Sequence, residues 1–193
     1  MARIAVLSDT HYEPSSPIGG RLGDISDTLL LRAVRRLNRF IRPDVTVMLG
    51  DLVNDNTGAS AASNRARMRD ILSQLESPLI LVPGNHDEPL DAFFSDMPKP
   101  AESIDIAGVR FLTFLDRQEP GWHASRSEAD LARMSAAAAG FNGPVVSLQH
   151  VPLFPPGLAD CCFKYVNDRR IVDCMHSAGI TLAVSGHFHP GFD

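Results

Sequence analysis

The stretch Leu79-Ile80-Leu81-Val82-Pro83-Gly84-Asn85-His86-Asp87 decides how the rest of the chain is read. Four consecutive apolar residues have the length and character of a buried strand. Pro83 and Gly84 stop it, because proline cannot donate to a sheet ladder and glycine admits a turn. An amide, an imidazole and a carboxylate follow on successive positions, where a turning backbone can aim them. Gly, Asn and Asp are ordinary turn residues too, so the motif acquires meaning only through repetition. Four other apolar runs end in the same way. Residues 3–7 deliver Ser8-Asp9-Thr10-His11, and residues 45–49 deliver Gly50-Asp51-Leu52-Val53-Asn54. Residues 145–148 deliver Gln149-His150, and residues 180–184 deliver Ser185-Gly186-His187-Phe188-His189.

Between these runs the periodicity changes to that of helices. Leu30, Val34, Leu37 and Ile41 keep helical spacing behind a cap at Ser26 or Asp27, and Pro43-Asp44 ends that helix. Residues 61–76 form a second amphipathic helix with Met68, Ile71, Leu72 and Leu75 on its buried face. Residues 91–94 read as a short helix. Residues 103–106 and 109–115, joined at Ala107-Gly108, read as a hairpin. Gly121-Trp122-His123 reads as a loop before a helix over 127–139, which Gly140 closes. A further helix starts at Asn167 and ends near Gly179. Phe93, Phe94, Phe111 and Phe114 read as core.

Strands alternating with helices imply an α/β fold with largely parallel pairing. In such a sheet the carboxyl ends of the strands share one edge, where ligands bind, so five polar motifs at five strand ends are expected to converge. They carry Asp9, His11, Asp51, Asn85, His86, His150, His187 and His189. Five of the chain's seven histidines are among them. Burying so many unpaired imidazoles and carboxylates is costly, and metal ions remove that cost, since carboxylate, imidazole and amide oxygen suit Mn, Fe, Zn or Co. Seven plausible ligands among these eight residues exceed the needs of one tetrahedral ion and fit two ions that share a carboxylate. Such a pair, about 3.5–4 Å apart, clamps the oxygens of a phosphoryl group during in-line displacement.

The bulk properties are those of a soluble globular protein with a sizeable core. The chain has 193 residues, 44% hydrophobic and 21% charged, with a net charge of −5. That length suits one domain. The absence of a long basic run disfavours nucleic acid as a partner, and no apolar stretch is long enough to span a membrane. The N-terminus reads as a strand rather than a signal peptide. Cys161, Cys162 and Cys174 read as free thiols, and the chain is expected to be cytoplasmic. His123 reads as a surface histidine. His176 and the cysteines are given no function.

Asp9-X-His11, Gly50-Asp51, Gly84-Asn85-His86-Asp87, His150 and Gly186-His187-X-His189, in this order, resemble the calcineurin-like metallophosphoesterase superfamily. Within it, Gly50-Asp51-Leu52-Val53-Asn54 is most similar to bacterial class III cyclic-nucleotide phosphodiesterases and their glycerophosphodiesterase relatives. The resemblance implies a four-layer α/β/β/α sandwich, with residues 1–193 a single metallophosphoesterase domain. It implies that Asp9, His11 and His189 hold one metal, that Asn85, His150 and His187 hold the other, and that Asp51 bridges them. His86 matches the histidine that stays off the metals, where it binds the phosphoryl oxygens with Asn85 or protonates the leaving alkoxide. Asp87 is expected to cap a helix or brace its loop, and Asn54 to orient His86 or serve as a turn residue.

The function expected from the resemblance is hydrolysis of cyclic nucleotides or other small phosphodiesters by a metal-bridging hydroxide. The alternatives are a phosphomonoesterase or a nuclease with the same metals, or a non-catalytic metal-binding scaffold. The family pattern continues beyond His189 with several strands, so the sequence reads either as truncated or as an unusually short member that lacks C-terminal strands of its second sheet. An open sheet edge of that kind is a liability, and a second copy of the chain, giving a homodimer, is one candidate to cover it.

Overall fold

A computed structural model describes residues 1–14, 21–158, 161–180 and 182–190. The chain divides into two compact units, Met1–Pro100 and Ala101–Asp193, and both are mixed α/β structures.

The first unit is built on three parallel strands, β1 (Ile4–Leu7), β2 (Val45–Met48) and β3 (Leu79–Leu81), with β2 in the middle. All four residues of β2 are buried, as a central parallel strand requires. Its one polar residue, Thr46, bonds the Ser77 hydroxyl at 2.7 Å. Helix α1 (Ser26–Arg36) connects β1 to β2, and α2 (Ala61–Leu72) connects β2 to β3. A shorter helix, α3 (Leu90–Asp96), follows β3. Leu30 and Val34 of α1, Met68, Ile71 and Leu72 of α2, and Phe93 of α3 bury themselves in one core with Met48 and Leu81. Each fully buried aliphatic or aromatic side chain contributes about 1.5–3 kcal/mol, so the helical spacing read from the sequence is what attaches these helices to the sheet.

The second unit has a four-stranded sheet in the order β4 (Ser103–Ile106), β5 (Val109–Thr113), β8 (Val145–Leu148), β9 (Leu182–Val184). The β4–β5 hairpin is antiparallel, whereas β5–β8 and β8–β9 are parallel. Ala107 and Gly108 at its turn both have positive φ, 51° and 79°, the combination that matches the twist of a two-residue hairpin. Helices α4 (Glu128–Ala136) and α5 (Asp168–Ala178) contribute Leu131, Met134 and Ile171 to a second core with Phe114, Val145 and Tyr165.

Several sequence expectations need correction. The five motif-bearing strands do not share one sheet edge: three lie in the first sheet and two in the second. Apolar runs identify strands without identifying which strands pair. The region around Gly121-Trp122-His123 is not a plain loop but the turn of a hairpin, β6 (Arg117–Glu119) and β7 (His123–Ser125). Its strands are three residues each and carry a single apolar residue, Ala124, so only the turn left a signal. The N-cap position of α1 is Ile25 rather than Ser26 or Asp27: Ser26 is the first helical residue and its hydroxyl donates back to the Gly23 carbonyl at 3.1 Å, while the Asp27 carboxylate accepts from the first-turn amide of Thr28 at 2.5 Å. The regular part of α4 ends at Ala136, and turns carry the chain on to Gly140, whose φ is +69°. Residues 15–20 of the loop after His11 and residues 159–160 of the Pro- and Cys-rich loop lie outside the described residues.

Candidate metal centre

In the first unit the parallel pairing of β1 with β2 continues past the strand ends into the loops. The amides of Asp9, His11 and Tyr12 donate to the carbonyls of Gly50, Asp51 and Leu52 at 3.0, 2.8 and 2.9 Å. Three residues there take left-handed backbone conformations: Asp9 (φ 57°), His11 (φ 43°) and Asp51 (φ 52°). Such strain in non-glycine residues persists only where the surroundings over-determine it, and it clusters at functional sites. Gly50, at φ +89°, adds a steric requirement. A Cβ on it would lie 2.3 Å from the Gly84 nitrogen, so the loops after β2 and β3 meet backbone to backbone only because no side chain stands between them.

Asp87 locks that meeting. Its fully buried carboxylate accepts bonds from the amides of Leu52 (3.0 Å) and Val53 (3.4 Å) through Oδ1, and from Gly84 (2.9 Å) through Oδ2. Its expected role as a loop brace is therefore what the structure shows. With the loops fixed, Asp51 Oδ1 accepts from the His86 amide at 2.9 Å, and Oδ2 lies 3.4 Å from His11 Nε2. The His11 and His86 rings meet edge to face with centroids 4.6 Å apart. One ligand atom from each of His11, Asp51 and His86 lies within 4.8 Å of the others. Asp9 Oδ1 is 3.9 Å from His11 Nε2, and Asn85 opens the single turn that carries His86 and Asp87.

His86 Nδ1 lies 2.7 Å from the backbone carbonyl of Asn54. A carbonyl only accepts, so Nδ1 carries the proton in this contact. Asn54 thus orients His86 through its backbone and not through its amide. The amide oxygen instead lies 3.5 Å from Arg21 Nη1, which is also 3.3 Å from His11 Nδ1. Sequence reasoning did not single out Arg21, and one arginine in a Gly- and Pro-rich loop offers no pattern to find it by.

In the second unit the ends of β8 and β9 place two imidazoles together. The His150 carbonyl accepts from the Gly186 amide at 3.0 Å, and His150 Nε2 lies 3.1 Å from His187 Nδ1. Both residues are buried, and His187 adopts φ 68°. Two nitrogens bound to one ion at about 2.0–2.1 Å lie roughly 2.9–3.4 Å apart for angles between about 90° and the tetrahedral value. The pair therefore fits a shared metal without rearrangement. Phe163 covers the His187 ring edge to face, with centroids 4.3 Å apart. His189 follows two residues later and is exposed.

Other expectations resolve simply. Cys161, Cys162 and Cys174 are free thiols. His123 is half-buried, and its Nδ1 accepts from the Lys164 amide at 3.3 Å, so it holds a loop to β7. His176 is exposed near the end of α5. Asn167 stands at the N-cap of α5, but its side chain bonds the backbone of Arg126 at both N–H (3.2 Å) and C=O (2.9 Å) rather than a helical amide. No helix among the described residues is long and apolar enough to cross a membrane.

Comparison with known proteins gives a consistent result. Residues 2–191 match the family model for calcineurin-like phosphoesterases. The chain is 26% identical, over 95% of its own length and 63% of the relative's, to a probable cyclic nucleotide phosphodiesterase of Rhodococcus erythropolis. It is 29% identical, over 81% of its length and 59% of the relative's, to the glycerophosphodiester phosphodiesterase GpdQ of Enterobacter lignolyticus. It thus spans about three fifths of the length of these curated relatives. Its fold is similar to that of TT1561 of Thermus thermophilus, with a TM-score of 0.63 at 19% identity over 96% of this chain and 81% of that one.

Proposed function

The chain belongs to the calcineurin-like phosphoesterase family, and from that premise we propose that it is a two-metal phosphodiesterase acting on small phosphodiesters of the cyclic-nucleotide or glycerophosphodiester kind. Asp9, His11 and His189 would hold one ion, Asn85, His150 and His187 the other, and Asp51 would be shared. The donors fit: carboxylate oxygens, imidazole nitrogens and one amide oxygen suit Mn, Fe, Zn or Co. Bound there, the two ions would supply a hydroxide nucleophile at neutral pH and neutralise charge on the phosphoryl oxygens.

The chain's own groups complete the chemistry. His86, with Nδ1–H fixed on the Asn54 carbonyl, would act through Nε2: in the imidazolium form that nitrogen also carries a proton, which it would donate to a phosphoryl oxygen or pass to the departing alkoxide. Asp51 fastens the His86 loop through Oδ1 while Oδ2 faces His11, so one carboxylate sets the spacing between a ligand and the acid. Asn85, one residue earlier, carries an amide that can both ligate and contact substrate. No protein nucleophile is needed.

The observation that carries this reading is the meeting of His11, Asp51 and His86 within 4.8 Å at the ends of three successive strands and their loops. The relatives' printed activities, on a cyclic nucleotide and on glycerophosphodiesters, support the choice of a diester. Chelator-stripped protein is expected to cleave bis(p-nitrophenyl) phosphate only after addition of Mn, and faster than p-nitrophenyl phosphate. A preference for the monoester would replace the diesterase reading with a phosphatase. Absence of turnover with any metal that binds would replace it with a scaffold.

A further inference from the structure

The second unit contains a buried ion pair that the proposed reaction does not use. Arg126 and Asp116 flank the β6–β7 hairpin, and their side chains close its base. Nε and Nη2 of Arg126 donate to the two carboxylate oxygens of Asp116 at 2.9 and 2.6 Å, and the Arg126 side chain has no exposure to solvent. Its guanidinium carbon lies 3.6 Å from the centre of the Phe114 ring. The Tyr165 hydroxyl donates to the same Asp116 oxygen at 2.6 Å. Burial is the largest influence on Arg126 and works against its charge, but the Asp116 bond and the surrounding negative charge together outweigh it, so the guanidinium stays ionised. Burial also pushes the Tyr165 phenol far up, with the Asp116 charge adding to the shift, so it remains a neutral donor.

This cluster reaches toward the histidine pair through one residue. Arg126 Nη2 lies 3.4 Å from Gln149 Oε1, and the Ser147 hydroxyl donates to that same oxygen at 2.6 Å. Gln149 Nε2 and the Gln149 amide both donate to the Val184 carbonyl, at 3.1 and 3.3 Å. Gln149 is fully buried. It therefore ties the last residue of β9 to the end of β8, immediately before His150 and three residues before His187. A buried ion pair is a poor way to gain stability, because apolar residues of similar volume often do as well or better. A fixed direction is what its hydrogen bonds add.

We propose that Asp116, Arg126 and Tyr165 are positioning residues that act through Gln149 to hold the His150 and His187 imidazoles at metal-ligating separation. The inference rests on the reading of His150 and His187 as ligands. Partners of this kind, one step removed from a metal, change its affinity by about 10–100-fold when lost.

The test is calorimetric titration of the chelator-stripped full chain with Mn, with thermal melting of the metal-free protein in parallel. Gln149→Met keeps the volume and removes the bonds. It is expected to weaken Mn binding by about 10–100-fold while the metal-free melting temperature stays within about 4 °C of wild type. Should that variant fail to fold, Tyr165→Phe, which deletes one hydroxyl, carries the test with a smaller weakening in the same direction. Unchanged Mn affinity in a folded variant, or a fall in melting temperature with affinity intact, overturns the positioning role and leaves the metal site standing. A wild-type chain that binds no Mn overturns the ligand reading itself, and the proposal with it.

Discussion

At the scale of single residues, the division of labour around His86 is the sharpest feature of the first unit. The imidazole is aimed by a main-chain carbonyl, that of Asn54, and held by a carboxylate that bonds its amide. Replacing the Asn54 side chain should therefore matter little, whereas removing the ring should matter greatly. Asn54→Ala is expected to keep kcat within a few-fold of wild type, and His86→Ala to lower it by about 10²–10⁴-fold, as loss of a proton donor does. Steady-state kinetics of the two variants on one diester decides this. The sequence made Asp87 legible, because an aspartate closing a glycine-rich turn has backbone amides within reach. It could not make the Asn54 carbonyl legible, since every residue has one and the side chain above it carries no information about where it points. Arg21 was hidden for a related reason, its partners being ten and 33 residues away.

At the scale of elements, local chemistry announced most helices and left the polar strands silent. Helix α4 shows why. Ser127 at its N-cap accepts from the Asp130 amide at 3.1 Å and donates to the Asp130 carboxylate at 2.7 Å, and Arg133 one turn on donates to the same side chain at 2.7 Å. Burial acts most strongly and raises the Asp130 pKa, but the Ser127 and Arg133 bonds together with the Arg133 and Arg126 charges outweigh it and hold the carboxyl below its ordinary value of 3.8. A depressed pKa contributes stability that is present above the unfolded value and lost as pH falls through the folded one. Asp130→Asn is expected to melt below wild type at pH 7, with the gap narrowing progressively as pH falls below about 4; a gap that does not narrow on acidification would remove charge from the explanation. Strands β6 and β7 had no such signature. They are three residues each with Ala124 their one apolar and buried residue, and the hairpin is held by the buried Asp116–Arg126 pair at its base, a contact between residues ten apart that no periodicity reveals. The β2 and β8 strands were the easiest to read, because burial of all four residues in each forces an unbroken or nearly unbroken apolar run.

At the scale of the whole molecule, the five motifs follow strands as expected but do not lie along one sheet edge. A single parallel edge was the expectation from strand–helix alternation, but the chain builds two sheets and distributes the motifs three and two between them. Within each unit the clustering is nonetheless firm: His11, Asp51 and His86 in one, His150 and His187 in the other. The ligand types and their order along the chain, which are properties of sequence, carry the metal reading. Pairing of sheets is a property of long-range packing, which short apolar runs do not encode. The central claim is that these ligands hold two ions, and the count of bound metal tests it most directly. Titration of chelator-stripped protein with Mn is predicted to saturate at two ions per chain, and at one in Asn85→Ala, which removes a ligand from a single position. Saturation at one ion in wild type, or an unchanged count in Asn85→Ala, would contradict the two-metal account.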